Sequence, residues 1–357
     1  MAENSTPDLT APPAPGFPRA VGKVEVDNPV WLAPLAGISY ASFRRFHRSL
    51  GAGLTHTEMV SALGLKYKGR KTKELLSGGD GDEPCVLQLF GSNAEDIRTG
   101  AGIALQIRSF AALEVNMACP MPKVTKKGSG AALLENADTA AAIIKALKSF
   151  DLPVWAKLRL VPQDARLSTE EFCAELIDAG ADLILLHGRT PAQRYEGRAS
   201  KEAVSAAARQ FPGMIGGSGD CSEPEDMVSY LDGGCVSVLA ARGVLRDATL
   251  IPRTLAALGA GVPEELTNPS PQTQKEMLLR LCRGICAAEG ERPALGMAKR
   301  MCAAIFRGFA GAPGLRSRCA SAGSWRMMEE MLAAFPESAQ AAEYKSGADT
   351  ALPPDND

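Results

Sequence analysis

The sequence predicts an α/β chain: a (β/α)8 barrel followed by a small all-helical C-terminal domain. Three observations carry this. Eight short apolar runs alternate with segments of helical spacing between residues 30 and 262. The runs are apolar throughout, not at every second position, which marks strands buried on both faces of a parallel sheet. After Pro263 the alternation stops and only helical patterns follow. Eight units in about 230 residues fit a closed barrel. An open doubly wound sheet is the rival and usually has fewer strands.

The apolar runs fall at 30–36, 54–60, 85–90, 113–117, 153–158, 182–187, 214–217 and 236–240. Gly37 stops the first, and Ser39 is placed to cap a helix over 40–50. Ser92 or Asn93 caps the next helix, to 108, and further helices are expected over 137–149, 169–179, 201–209 and 224–231. The helical domain, placed at 268–340, should hold helices over 273–288, 293–309 and 324–335. Residues 1–25 are proline-rich and 341–357 are acidic, and both read as disordered tails. That leaves 26–262 as the catalytic barrel.

Composition narrows the function classes. Nine cysteines lie at scattered spacings with no CxxC pair, so reduced thiols in a cytoplasmic protein are expected, with no metal site. No apolar stretch reaches the ~18 residues of a membrane span. Net charge is −2, yet 268–340 holds ten Lys/Arg against six Glu. A basic segment can meet phosphates while the whole chain stays near neutral, although an ordinary solvated helix face has the same composition.

In a barrel, function sits at the carboxyl ends of the strands. Those ends carry Pro34-Leu35-Ala36-Gly37, Glu58, Gln88, Asn116 with Cys119, Lys157 with Arg159, His187 with Arg189, Gly217 to Asp220, and Ala241-Arg242-Gly243. Polar groups just after buried runs are costly unless partnered, so the set points to a ligand. Gly217, Gly219 and Gly243 would let backbone N–H groups approach an anion, with Arg242 adding charge; tight turns without a ligand are the alternative. Lys157 could stabilise an electron-rich ring when it is reduced, or be salt-bridged to Glu58. His187 could donate to a ligand or be a satisfied core histidine. His47 reads as helix surface and His56 as strand, with no role assigned to either. Cys119 ends a strand and precedes Pro120; it could be a nucleophile, a proton donor or a packed thiol. Lys123, Lys126 and Lys127 follow it in a loop. The other cysteines, Cys282 and Cys286 on one helix face among them, read as core.

The chain resembles the tRNA-dihydrouridine synthases, flavin-dependent reductases of uridine in tRNA. The matching segments are LAPLAGISYASFRRFHRSLGAGLTHTEMVSA (32–62), VLQLFGS (86–92), LEVNMACPMPKVTKKGSGAALL (113–134), PVWAKLRL (153–160), HGRTPAQRYEGRA (187–199), GGSGD (216–220) and AARG (240–243). RMCAAIFRGFAGAPGLRSRCASAGS (300–324) is similar, less closely, to the family's tRNA-binding helical domain. The resemblance implies FMN held by Pro34, Leu35, Ala36, Gln88, Lys157, His187, Ser218, Gly219, Asp220, Ala241 and Arg242. NADPH or NADH would reduce it. Cys119 would be the proton donor. Asn116, Arg159 and Arg189 would lie near the uracil, with Lys126 and Lys127 beside the RNA. The implied partner is tRNA, and the enzyme is expected to be a monomer in the cytoplasm.

Three positions depart from the family pattern: Ala118 and Ala241 stand where glycine is usual, and Ser218 where asparagine is. The last two bear on the phosphate site and on flavin affinity. Two other readings follow. A dihydroorotate or dihydropyrimidine dehydrogenase would handle the same bond, but a free pyrimidine needs neither the KKGSGAALL loop nor a basic extension. A non-catalytic RNA-binding relative would accommodate Ser218 and Ala241.

Overall fold

The computed structural model describes residues 20–306 and 312–334. Strands β1 (Ala20–Val21) and β2 (Val24–Glu25) form a small antiparallel hairpin. The barrel strands are β3 (Val30–Leu32), β4 (Thr55–His56), β5 (Val60–Ser61), β6 (Cys85–Phe90), β7 (Ala112–Met117), β8 (Val154–Arg159), β9 (Leu183–His187), β10 (Ile215–Ser218) and β11 (Ser237–Ala240). They pair in parallel in the order β3-β11-β10-β9-β8-β7-β6-β4, with β5 also on β6. The ring closes where Leu32 N–H donates to the Leu54 carbonyl at 2.9 Å and Gly53 N–H to that of Val30 at 2.8 Å. The predicted (β/α)8 barrel is therefore the fold.

Side chains alternate across the sheet, and this sorts the core in two. Outward residues such as Val115, Met117, Ala156 and Leu158 pack under the surrounding helices. Inward residues fill the barrel, where Trp31 and Trp155 stack with ring centroids 5.4 Å apart. The hairpin adds Val21 and Val24 to this interior cluster. The disordered tail expected over 1–25 does not include Ala20–Glu25, because Val21 and Val24 are buried in the barrel; residues 1–19 lie outside the described residues.

Several local expectations change. The first strand stops at Leu32 rather than residue 36, since Pro34 has no N–H for a ladder. The second run is split into β4 and β5 around Glu58, which turns to accept the Gly37 N–H. Ser39 does not cap the first helix, Ala41–Ser49, whose N-cap is Tyr40. Its hydroxyl instead accepts from Leu35 N–H at 2.9 Å and shapes the turn after β3. Asn93 does cap Ala94–Leu105, accepting from Asp96 N–H. His47 is not on the surface: it is fully buried between Phe43 and Phe46, and burial lowers its pKa to about 3.

The C-terminal region holds helices Pro271–Glu289, Glu291–Ile305, Ala312–Ser321 and Trp325–Ala333. The third was not foreseen; its first residues, APG, read as a break. Arg280 donates to Ser49 Oγ at 2.7 Å and Gln274 to Asp247 at 2.8 Å, which ties the first of these helices to barrel units one and eight. The end of the helix expected over 293–309, and the tail 341–357, lie outside the described residues. No helix among those described is long and apolar enough to cross a membrane.

Candidate active site

Strand register stacks the inward side chains in tiers. Gln88 pairs with Glu114 and Glu114 with Trp155; one tier higher Asn116 pairs with Lys157; above these Arg159 pairs with His187, and His187 with Ser218. A polar column thus rises from the tryptophan floor to the barrel mouth. Gln88 Nε2 donates to Glu114 Oε1 at 2.5 Å, and Asn116 Nδ2 donates to Gln88 Oε1 at 2.9 Å. Asn116 Oδ1 then accepts from the backbone N–H of Cys119 at 2.9 Å and of Ala118 at 3.2 Å. The chain of bonds fixes the loop that carries Cys119 from below.

The same loop is fixed from the side. Arg159 donates from Nε to the Ala118 carbonyl at 2.8 Å and from Nη1 to those of Thr190 and Arg194. Gly130 closes it from behind. Its φ is +62°, and a Cβ there would lie 2.7 Å from the Cys119 carbonyl oxygen and 3.3 Å from Cys119 Cβ. Ala131 N–H donates to that carbonyl at 3.0 Å. Ala118, the departure from glycine, is not among the positive-φ residues, so alanine takes this backbone without strain.

Burial raises the Cys119 thiol above its ordinary 9.0, opposed by a Met121 backbone hydrogen bond and the charges of Arg159 and Lys123. The group is therefore a thiol near neutrality and can give up a proton. A nucleophilic role would need the thiolate.

Lys157 is 8% exposed and has no hydrogen bond to any described residue. Burial lowers its pKa to about 8, with Glu114 acting against that shift. The pairing with Glu58 does not form; the carboxylate beneath Lys157 is Glu114. His187 Nδ1 lies 3.2 Å from Ser218 Oγ, and Nε2 is buried without a partner among the described residues. Burial and the charges of Lys157, Arg159, Arg189 and Arg242 push its pKa well down, so it is neutral. In the tautomer where Ser218 donates to Nδ1, Nε2 is an unused N–H donor. The serine that replaces asparagine thus has a use in orienting His187.

Arg189 and Asp220 face each other in a two-pronged pair at 2.7 and 2.8 Å, and Asp220 also accepts from Ala199 N–H at 2.7 Å. Arg189 donates further to the carbonyls of Glu196 and Gly197, leaving Nη1 as its one buried unpartnered atom. Both residues therefore organise loop 188–199. That loop holds up Tyr195, whose ring lies 4.4 Å from the Arg242 guanidinium and 5.5 Å from that of Arg159. Gly217 and Gly243 make room for protein: a Cβ on the first would meet the Tyr230 ring at 2.5 Å, and on the second Leu250 at 2.5 Å. A Cβ on Gly219, at φ +122°, would meet Ala199 Cβ at 2.7 Å and Tyr230 Oη at 3.3 Å, so this glycine too makes room for protein. Pro34, Leu35 and Ala36 form the turn after β3, beside Ala240 through the Ala33 N–H. Lys126 and Lys127 are exposed beyond Cys119.

Two residues of the site were missed in the sequence. Glu114 is fully buried inside an apolar run, and an acid there was itself the signal. Gly130 was passed over as one glycine of a loop.

The donor set suits a phosphorylated, electron-poor ring: an unbonded lysine, an orphan imidazole nitrogen and an orphan guanidinium nitrogen all lie at one barrel end. The family model described as "Dihydrouridine synthase (Dus)" matches residues 31–340. A protein of Mycobacterium tuberculosis named "Probable tRNA-dihydrouridine synthase" is 30% identical over 360 residues, 93% of this chain and 90% of the relative. One of the same name from Treponema pallidum is 31% identical over 255 residues, covering 68% of this chain and 75% of the relative. "tRNA-dihydrouridine synthase B" of Pseudomonas aeruginosa is 32% identical over 211 residues, 57% and 62% of the two chains. The chain belongs to the dihydrouridine synthase family.

Proposed function

We propose that this protein reduces the C5–C6 bond of uridine in tRNA, in the cytoplasm, with FMN as cofactor and NADPH or NADH as reductant. The observation that carries the reading is Cys119: a protonated thiol, held from three sides, at the carboxyl end of a strand whose neighbour carries the unbonded Lys157 two residues before its own end. When bound, the flavin supplies the hydride that adds at C6.

The residues divide the remaining work. Lys157 offers a cation where negative charge accumulates on the reduced ring, and His187 Nε2–H offers a neutral hydrogen bond. Gln88 has one amide N–H left after Glu114 and Asn116 are served, and can donate it to the ring edge. The turn at Pro34 to Ala36, the Ser218 to Asp220 backbone, Ala241 and Arg242 would hold the ring and its phosphate. Asn116 and Arg159 both bond the Cys119 loop, where the uracil would lie, and Arg189 Nη1 offers a further unused donor. Cys119 gives its proton to C5 and regains one from solvent, so a hydride and a proton together saturate the bond. The uridine must leave the RNA stack to reach the barrel mouth.

Purified protein, NADPH and an unmodified tRNA transcript test the reading. Dihydrouridine should appear by mass spectrometry of the digested RNA, and the protein should release FMN on denaturation. Reduction of free uracil or orotate with no action on tRNA would show the substrate reading to be wrong.

A further inference from the structure

Residues 66–73 lie in the second barrel unit and run from the last residue of helix Ala62–Lys66 into helix Arg70–Glu74. Five cations, Lys66, Lys68, Arg70, Lys71 and Lys73, stand within eight residues, all exposed. Lys66 bonds Asp96 at 2.6 Å and Arg70 lies 3.7 Å from Glu74. Lys68, Lys71 and Lys73 have no acidic partner among the described residues. Tyr67, between two of the lysines, is 74% exposed, the highest value among the exposed large apolar side chains.

The segment is held at the rim of the barrel mouth. Ser61, at the carboxyl end of β5, caps the first helix through Gly64 N–H. Thr72 of the second helix folds back over that turn: a Cβ on Gly64 would lie 2.7 Å from Thr72 Oγ1. Lys66 reaches Asp96 in the first turn of Ala94–Leu105. Gly128, in the lysine loop after Cys119, abuts Ser92 just before the same helix, at 3.5 Å for an added Cβ. Segment 92–96 thus joins the Lys126-Lys127 loop to the five cations. Lys68 also keeps a φ of +57°, a backbone state that glycine would take more cheaply.

We propose that Lys68, Lys71 and Lys73, with Tyr67, form a second RNA-contact surface that grips the phosphate backbone of the substrate. It continues the Lys126-Lys127 loop around the rim, away from the helical domain on units one and eight. Compact ammonium groups without partners suit phosphates, and an exposed tyrosine between them suits a base or sugar face. The proposal rests on the tRNA reading above and adds where the RNA is held.

The test compares the full-length protein with its Lys68→Gln/Lys71→Gln/Lys73→Gln variant. Dissociation constants for an unmodified tRNA transcript are measured across a salt series. Each phosphate contact contributes about 0.7–0.9 to the slope of log K against log salt, so the variant's slope should be shallower by about 2–3. Affinity at low salt should fall at least tenfold, with the thermal midpoint unchanged. A slope that changes by less than one unit overturns the surface. Should the triple variant not fold, Lys71→Gln and Lys73→Gln singly are expected to lose half a unit or more each, and a smaller loss overturns it. If the unaltered protein binds and modifies tRNA while the variants keep its slope, only this surface is wrong. If the unaltered protein neither binds nor modifies tRNA, the function proposed above is wrong too.

Discussion

Gly130 offers the sharpest test of how Cys119 is held. Alanine there meets two separable costs. A Cβ at φ +62° costs about 1–2 kcal/mol in backbone strain. It would also lie 2.7 Å from the Cys119 carbonyl oxygen and 2.8 Å from Val124 Cγ1, where ordinary contact begins at 3.4 Å. The carbonyl is backbone and must retreat by about 0.7 Å, taking the thiol with it; a displacement approaching 1 Å can cost up to about 10²-fold in rate. Gly128 supplies the control. It has φ +70°, but a Cβ there meets only Ser92 Cβ at 3.5 Å. Gly128→Ala and Gly130→Ala should both lose stability in urea unfolding. Only Gly130→Ala should also lose single-turnover dihydrouridine formation, by roughly 10- to 100-fold. If its rate lay within threefold of the Gly128→Ala rate, Gly130 would not position Cys119.

Three further outcomes are expected. Cys119→Ala should slow dihydrouridine formation by about 10²–10⁴-fold while the protein keeps its flavin, as measured by single-turnover kinetics and absorbance; unimpaired turnover would remove the thiol as the acid. Lys157→Met should raise stability, because the folded-state pKa of about 8 lies below the ordinary 10.5. The folded chain then binds fewer protons than the unfolded chain between those values, so the penalty is complete below pH 8 and fades as pH rises to 10.5. With Glu114 left unpaired, the net gain at pH 7 should be about 1–3 kcal/mol by urea unfolding, and a loss of stability would contradict the assigned burial cost. Glu114→Gln should lower the Lys157 pKa further, so flavin affinity should fall more steeply from pH 7 to 9 than in the unaltered protein; parallel pH profiles would remove Glu114 as its counter-charge.

The barrel was legible because its strands are buried on both faces, and a continuous apolar run such as CVLQLF has few other uses. The hairpin at Ala20–Glu25 was not: two-residue strands leave no period to read, and prolines precede them. Cys119, Lys157, His187 and Arg242 were legible as polar groups at strand ends. Their partners were not, since sequence gives no register. Lys157 was matched with Glu58, four residues from Ala62, when register places Asn116 beside it and Glu114 below. Gly217 and Gly243 show the same limit. A missing Cβ looks the same in sequence whether a ligand or the Tyr230 ring takes its place.

The distribution of cations explains how one mouth can hold a resident anion and still release a transient one. Arg189 is neutralised by Asp220, which leaves Lys157, Arg159 and Arg242 around a neutral His187. Burial lowers the pKa of each of these three, so the site carries positive charge that the fold pays for. A phosphorylated ring, the ligand proposed above, would remove that cost; occupancy at 100 times its Kd would add about 2.7 kcal/mol of stability. The exposed lysines, Lys126, Lys127, Lys68, Lys71 and Lys73, face water and carry no such burial cost. In the RNA contact proposed above they would gain by releasing counterions, a gain that salt weakens and that a growing distance from the phosphates ends. On the proposed function, buried charge would serve the group that stays, and exposed charge the RNA that must leave after each reduction.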